Sequence, residues 1–376
     1  MEKLRWLEIE NYRGIKQVKL KEFGDLNIII GKNNTGKSTI LESIYLNITS
    51  QNLDLVGNYP LIFIFKRRGA SLSIPFPRGN LDAEDLFHYL SYIFYNESFE
   101  KSIKFVSNLG KYQLDVIKDD FPNNIIKFVV DYISRRRFPK VDIGEILYVV
   151  VDNFQRPLIV AFEGIRKNDI EYYIKFIFHY PHYIKKQKRK NIILIDTHWL
   201  FHYYKFDEPP VKAALMRLER YSRLDKQKLT EFLSEQLGHR VSAVESRLFD
   251  IYIITKNNKY IPFSLLGDGT KTFLIYFYTL SLENSYILFE EPENHLHPKL
   301  MKHCIDLMVE SASKNQIFIT THNIEVLQMI LKKAKEANIN LKVYSINAVK
   351  NGIPEYETYN LNEAYTAVNK IGVDLR

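Results

Sequence analysis

A chain of 376 residues, 46% hydrophobic and 26% charged, can form one large domain or two ordinary ones and has the composition of a globular protein. No apolar stretch is long enough to span a bilayer and the opening "MEKLRWLEIE" lacks the apolar core of a signal peptide, so the expected location is the cytoplasm, with no membrane partner. The single cysteine, Cys304, excludes an internal disulfide and any all-cysteine zinc site. The net charge of +8 is gathered in bursts, Lys66 to Arg68, Arg135 to Arg137 and Lys185 to Lys190. Such bursts suit nucleic-acid phosphates, with Tyr180 and Tyr183 placed to stack on bases, and equally suit solvated loop tips.

In chain order, "LRWLEIENY" and "IKQVKL" predict two short strands. "LNIII" (Leu26 to Ile30) then reads as a strand buried on both faces, and "STILESIYLNI" carries apolar residues near helical spacing. Between them "GKNNTGKST", Gly31 to Thr39, fits G-x-x-x-x-G-K-[ST], and strand, glycine loop, helix is the context this motif requires. Backbone N–H groups from Gly31, Asn33, Asn34, Thr35, Gly36 and Thr39 would wrap a phosphate chain at the helix N-terminus. Lys37 would neutralise the terminal phosphates and the Ser38 hydroxyl would bind Mg²⁺, which makes a nucleoside triphosphate the working ligand.

From about Asn52 to about Val151 the composition shifts to aromatic-rich segments such as "AEDLFHYLSYIFYNESFEKSIKFV", broken by Pro and Gly, and a mainly helical insertion is expected. Its aromatics, Phe87, Tyr89, Phe94 and Tyr95 among them, would form a private core or a docking face. "PLIVAFEGIRKNDIEYYIKFIFHY" then predicts a hairpin, and "PPVKAALMRLERYSRLDKQKLTEFLSEQLG" a helical segment with a proline entry and a Gly238 exit. The expected domains are therefore 1–51 and 241–376 as two parts of one nucleotide-binding head, 52–151 as the insertion and 152–240 as a hairpin with a helical arm.

"FDIYIITKNNKYIPFSLLGDGTKTFLIYFYTL" predicts a strand, a turn at Asn257 and Asn258, a short strand and a second glycine loop, with Ser264, Gly267 and Gly269, opening onto an apolar helix. "YILFEE" is an apolar strand ending in Glu290 and Glu291, where α/β ligand sites lie. "NQIFITTHN" is another strand, ending beside His322, a residue able to contact a terminal phosphate or a lytic water.

Together "GKNNTGKST", "SLLGDGTK", "LFEEPENHLHP" and "ITTHN" resemble the Walker A, signature, Walker B with D-loop, and switch-histidine segments of ABC-type ATPases. More narrowly, the chain resembles the prokaryotic AAA-labelled ATPases akin to RecF, the SMC proteins and the overcoming-lysogenisation-defect nucleases. The likeness touches residues 1 to 50 and about 240 to 325. It implies an α/β P-loop NTPase of ABC-head type with a mixed central sheet flanked by helices, hydrolysing ATP with Mg²⁺.

It also assigns roles: Lys37 to the phosphates, Ser38 and Glu290 to Mg²⁺, Glu291 as general base and His322 as switch histidine, with Ser264, Gly267 and Gly269 facing ATP on a partner head. Such heads form homodimers head to tail on ATP and serve DNA transactions or defence systems with a separate nuclease or toxin effector. An ATP-gated clamp that hardly turns over and a transporter motor are the competing classes.

Three positions depart from the pattern. Glu290 stands for the commoner Asp, Gly267 for the signature serine, and His297 for the Asp that commonly ends the D-loop. Arg13 matches a basic residue of related heads that senses nucleotide, or is an exposed turn arginine; the glutamine loop has only Gln155 and Gln187 as candidates. The short segment after His322 has no D-x-D pair, so a Toprim nuclease is not expected, and a zinc hook lacks both its cysteines and its heptads.

Overall fold

A computed structural model describes residues 1–50, 52–67, 101–118, 121–123, 126–127, 142–152, 157–166, 169–176, 190–196, 210–223, 225–238, 240–247 and 250–376. The chain opens with β1 (Trp6–Tyr12), β2 (Ile15–Lys21) and β3 (Leu26–Gly31), then α1 (Lys37–Thr49) and α2 (Pro60–Arg67). Next come β4 (Ile103–Ser107), β5 (Gly110–Ile117), β6 (Asp142–Asp152), β7 (Pro157–Arg166), β8 (Asp169–Phe176) and β9 (Ile192–Asp196). After α3 (Pro210–Leu218) and α4 (Lys226–Leu237) follow β10 (Val241–Arg247), β11 (Asp250–Thr255), β12 (Tyr260–Pro262) and α5 (Asp268–Leu280). The last part alternates β13 (Tyr286–Glu290), α6 (Pro298–Ala312), β14 (Gln316–Thr321), α7 (Ile324–Glu336), β15 (Leu341–Lys350), β16 (Ile353–Asn360) and α8 (Leu361–Tyr365).

The central sheet runs β16-β15-β3-β14-β13-β9. All its neighbours are parallel except the β15–β16 edge pair, which makes the sheet mixed. The continuous apolar runs of β3 and β14 are fully buried because helices or another sheet cover both faces. Alternate residues serve different cores. Ile28, Ile30, Ile287, Phe289, Ile317 and Ile319 pack towards α5, α6 and α7, whereas Ile29, Leu288, Phe318 and Tyr344 pack towards α1 and the second sheet.

That second sheet, β2-β1-β4-β5-β6-β7-β8, is antiparallel, and α1 lies between the two sheets, touching β1, β4 and β5 on one side and β3, β14, β13 and β9 on the other. This explains why the first helix is buried nearly all round, including its polar Glu42, Ser43 and Asn47. Asn47 serves the join: its amide donates to the carbonyl of Phe105 (3.2 Å) and its oxygen accepts from the Ser107 hydroxyl (2.7 Å).

A mainly helical insertion is the expectation for 52–151, and much of that span lies outside the described residues. The span contains α2, but also β4, β5 and β6, and β4 pairs directly with β1. "SIKFV" fits the end of a helix by its spacing, but Ile103 and Phe105 point into the core at alternate positions, because the open edge of β1 supplies the hydrogen bonds. The aromatics Phe87, Tyr89, Phe94 and Tyr95 lie outside the described residues. β7 and β8 pair antiparallel as the expected hairpin, and among the described residues the helical arm holds α3 and α4, the second capped by the Asp225 carboxylate and ended by left-handed Gly238.

One buried acid has a measurable consequence. Asp54 accepts from the Tyr45 hydroxyl (2.9 Å) and from the amide N–H (2.7 Å) and side chain (2.9 Å) of Asn58, yet burial outweighs these bonds and raises its carboxyl to about 6. The folded value lies above the unfolded one, so the folded state holds the proton more tightly. This contribution to stability is complete below about pH 4 and is lost as pH rises through about 6. Urea unfolding from pH 4 to 7 should show Asp54→Asn free of this decline, which is worth about 3 kcal/mol in wild type. Parallel pH dependences for the two proteins would refute it.

Candidate active site

The phosphate loop is shaped by its neighbours. Lys37 folds back so that Nζ donates to the carbonyls of Gly31 (2.8 Å) and Lys32 (2.7 Å), and the Thr35 hydroxyl donates to the carbonyl of Lys32 (2.9 Å). Asn34 and Gly36 have positive φ, and helix α1 starts at Gly36 with no side-chain cap, so its first N–H groups are directed at the loop's concavity. Burial pulls the Lys37 ammonium below its ordinary value, while the carboxylates of Glu291 and Glu293 oppose that shift.

A cavity of about 510 Å³ is lined by Asn33, Asn34, Thr35, Gly36, Lys37, Ser38 and Thr39, with Arg13, Gly14, Ile15, Val349 and Glu291 completing it. Gly31 lies beneath this loop at the end of β3. Arg13 is not an exposed turn arginine. Its Nη1 donates to Glu42 Oε2 (2.7 Å), and the Tyr12 hydroxyl donates to the same oxygen (3.0 Å).

The acids arrive from the parallel strand ends. Glu290 closes β13 and its Oε1 accepts from Ser38 Oγ at 2.5 Å, joining Walker B to the phosphate loop. Glu291 turns out of the strand with φ 45°, its amide donating to the Thr320 carbonyl (2.9 Å), so that its side chain lines the cavity. His322 Nδ1 lies 3.0 Å from Glu291 Oε1, and Asn294 Nδ2 donates to Glu291 Oε2 (3.4 Å). A base held by a histidine and an amide at the mouth of a phosphate cradle can orient and deprotonate a water.

Ser264, Gly267 and Gly269 do not reach this cavity. They lie around the start of α5, where Gly267 has open space about it, the neighbouring Leu265 is 76% exposed, and Gly269 approaches the His295 carbonyl in the D-loop. His297 takes over the role of a capping acid: its Nδ1 accepts the amide N–H of Lys299 (3.3 Å) at the start of α6, with Pro298 in the first turn.

Four site residues escaped the sequence reading. Arg67, read as one of a basic burst, is buried, and its guanidinium pairs with Glu42, Asp196 and Glu290. Asp196 ends β9 directly beside Glu290 in the sheet register, and "NIILID" has the same form as "YILFEE", so an acid closing an apolar strand was the available signal. Glu42 looks like an ordinary polar position of α1. Glu293 accepts from the Thr321 hydroxyl (2.6 Å), and burial raises its carboxyl above the ordinary range. Gln155, Gln187 and the other basic bursts, apart from Lys190, lie outside the described residues.

A family described as "AAA domain, putative AbiEii toxin, Type IV TA system" matches residues 156–328. Over 353 residues the chain is 21% identical to a Helicobacter pylori protein named ATP/GTP phosphatase, covering 87% of this chain and 88% of that protein. It is 54% identical over 43 residues to the DNA replication and repair protein RecF of Staphylococcus aureus, 11% of this chain and 12% of that protein. Among solved structures, an Smc head domain with an extended coiled coil, bound to the C-terminal domain of ScpA and derived from Pyrococcus furiosus, is 14% identical with a TM-score of 0.45, covering 99% of this chain and 100% of that one. The phosphate loop, the parallel strand order around it and these sequence similarities liken the chain to P-loop ATPases of the RecF and AAA-domain type.

Proposed function

We propose that the protein binds Mg²⁺-ATP in the phosphate-loop cavity, hydrolyses it to ADP and phosphate, and closes as a head-to-tail homodimer around two ATP molecules. The observation that carries this reading is the meeting of the phosphate loop with Glu291 in one cavity, the Glu291 carboxylate held 3.0 Å from His322. Lys37 neutralises the terminal phosphates, and the α1 N-terminus with the loop amides binds their oxygens. Glu291 takes the proton of the attacking water, and His322 fixes the carboxylate's direction.

The hard oxygens of Ser38 and Glu290, 2.5 Å apart beside the loop, suit Mg²⁺, which when bound offsets the negative charge of the transferring phosphoryl group. The longer Glu290 reaches the loop hydroxyl from the strand end, which supports its service in place of Asp. The signature loop is open to a partner: Gly267 has no neighbour that a side chain would meet, and Leu265 stands out beside it. The biological output we read as a DNA transaction or an anti-phage defence effector, supported by the likeness to RecF and to a family described as a putative toxin of a toxin–antitoxin system. Among the described residues no helix is long and apolar enough to cross a membrane.

The test is molecular mass in solution. With Mg²⁺-ATP the mass should double, and duplex DNA should add to the shifted species. Lys37→Ala, which lacks the phosphate contact, should stay at the mass of one chain. A wild-type mass indifferent to ATP, with nucleotide binding demonstrated separately, would sink the dimer mechanism.

A further inference from the structure

Arg67 is the least expected group in the molecule. Its side chain is 1% exposed, and its three guanidinium nitrogens turn to three different acids from three elements. Nε donates to Asp196 Oδ2 (2.7 Å) on β9, Nη1 lies 3.2 Å from Glu42 Oε1 on α1, and Nη2 pairs with Glu290 Oε2 on β13. Three carboxylates converging in a buried place repel one another unless a cation sits among them. A guanidinium suits that position because it stays protonated and its planar fork satisfies several acceptors at once.

Two connections make this more than a structural plug. Glu290 is shared, with Oε2 on Arg67 and Oε1 on the Ser38 hydroxyl of the phosphate loop. Glu42 is shared as well, between Arg67 and Arg13, and Arg13 lines the nucleotide cavity. The positive charge therefore sits against the acid proposed to serve Mg²⁺ and is tied to the cavity rim.

We infer that Arg67 is the resident counter-ion of the Walker B carboxylates, a positioning residue that keeps them from holding a divalent cation until nucleotide phosphates add their negative charge. This rests on the proposed role of Glu290 in binding Mg²⁺. Arg67 fixes the Glu290 carboxylate towards Ser38 and, by its charge, weakens cation binding by the protein alone. Phosphate oxygens reverse that balance, so the cation enters with the nucleotide and leaves with it.

The experiment follows Mn²⁺ binding to the full chain by electron paramagnetic resonance, with and without ATP. Arg67→Gln should bind Mn²⁺ without nucleotide about ten-fold or more tightly than wild type, since the three acids then lose the charge of Arg67 and only Glu42 keeps Arg13 beside it. Arg67→Lys keeps the charge and should remain close to wild type. Asp196→Asn should act in the opposite sense: with one acid fewer to share, Arg67 grips Glu290 harder, and the Mn²⁺ needed with ATP rises several-fold. If Arg67→Gln does not fold, Asp196→Asn decides, and an unchanged Mn²⁺ requirement overturns the inference. Equal nucleotide-free binding by folded wild type and Arg67→Gln overturns it too. A wild-type chain that takes up no Mn²⁺ with ATP would overturn the reading of the site beneath it, whereas Mn²⁺-ATP binding indifferent to these substitutions removes only the role of Arg67.

Discussion

Replacing Glu291 with glutamine is expected to slow ATP hydrolysis by about 10²–10⁴-fold while leaving nucleotide binding in place. The substitution keeps volume and hydrogen-bonding reach, so the contacts to His322 (3.0 Å) and Asn294 (3.4 Å) can persist in altered form; what disappears is an acceptor for the water's proton. The backbone at Glu291 is in the left-handed region, φ 45°, which aims the side chain out of the strand and into the cavity. Single-turnover phosphate release measures the chemistry, and equilibrium nucleotide titration measures binding. A wild-type rate in Glu291→Gln would move the base elsewhere, first to Glu293, which lies 4.0 Å from His322. Loss of binding together with hydrolysis would make Glu291 a structural residue. The same variant separates an engine from a clamp, since a clamp keeps its cellular effect without turnover and an engine does not.

Gly31→Ala should abolish nucleotide binding and destabilise the fold by about 1–3 kcal/mol. A Cβ there would stand 2.5 Å from the Ile346 carbonyl oxygen and 2.8 Å from Thr35 Oγ1. The carbonyl belongs to a sheet pair, Ile346 opposite Gly31 in the β15–β3 register, and cannot retreat without disturbing the ladder. The hydroxyl is the one that braces the loop at Lys32. Gly267→Ala is the matching control: its φ of −66° is open to any residue and no atom lies within 4 Å of the added methyl, so stability and single-chain nucleotide binding should hold. Urea unfolding and ATP titration of both variants check the contrast. A Gly31→Ala protein with normal ATP affinity would show that the loop tolerates displacement and that its tight packing is incidental.

The phosphate loop, the Walker B strand and the histidine strand were legible in the chain because each is local. Gly31 to Ser38 are contiguous, and Glu290, Glu291 and His322 follow directly from short apolar runs of the kind that form buried strands. An acid at the end of such a run is carried to the same sheet edge as the loop by the parallel order alone.

What the chain did not reveal depends on partners distant in sequence. "SIKFV" is a strand because β1, more than ninety residues earlier, offers an edge; its own spacing also fits a helix. Of the adjacent basic residues Lys66 to Arg68, nothing local says that Arg67 turns inwards. Its burial requires α2 to pack beside α1 and beside the ends of β9 and β13, where Glu42, Asp196 and Glu290 gather. Charges are buried only where opposite charges are assembled to receive them, and that assembly is a property of the folded chain. The sequence by itself thus determined the phosphate cradle and the ends of its strands, while the tertiary structure decided which cation lies among the carboxylates and how the second sheet closes over α1.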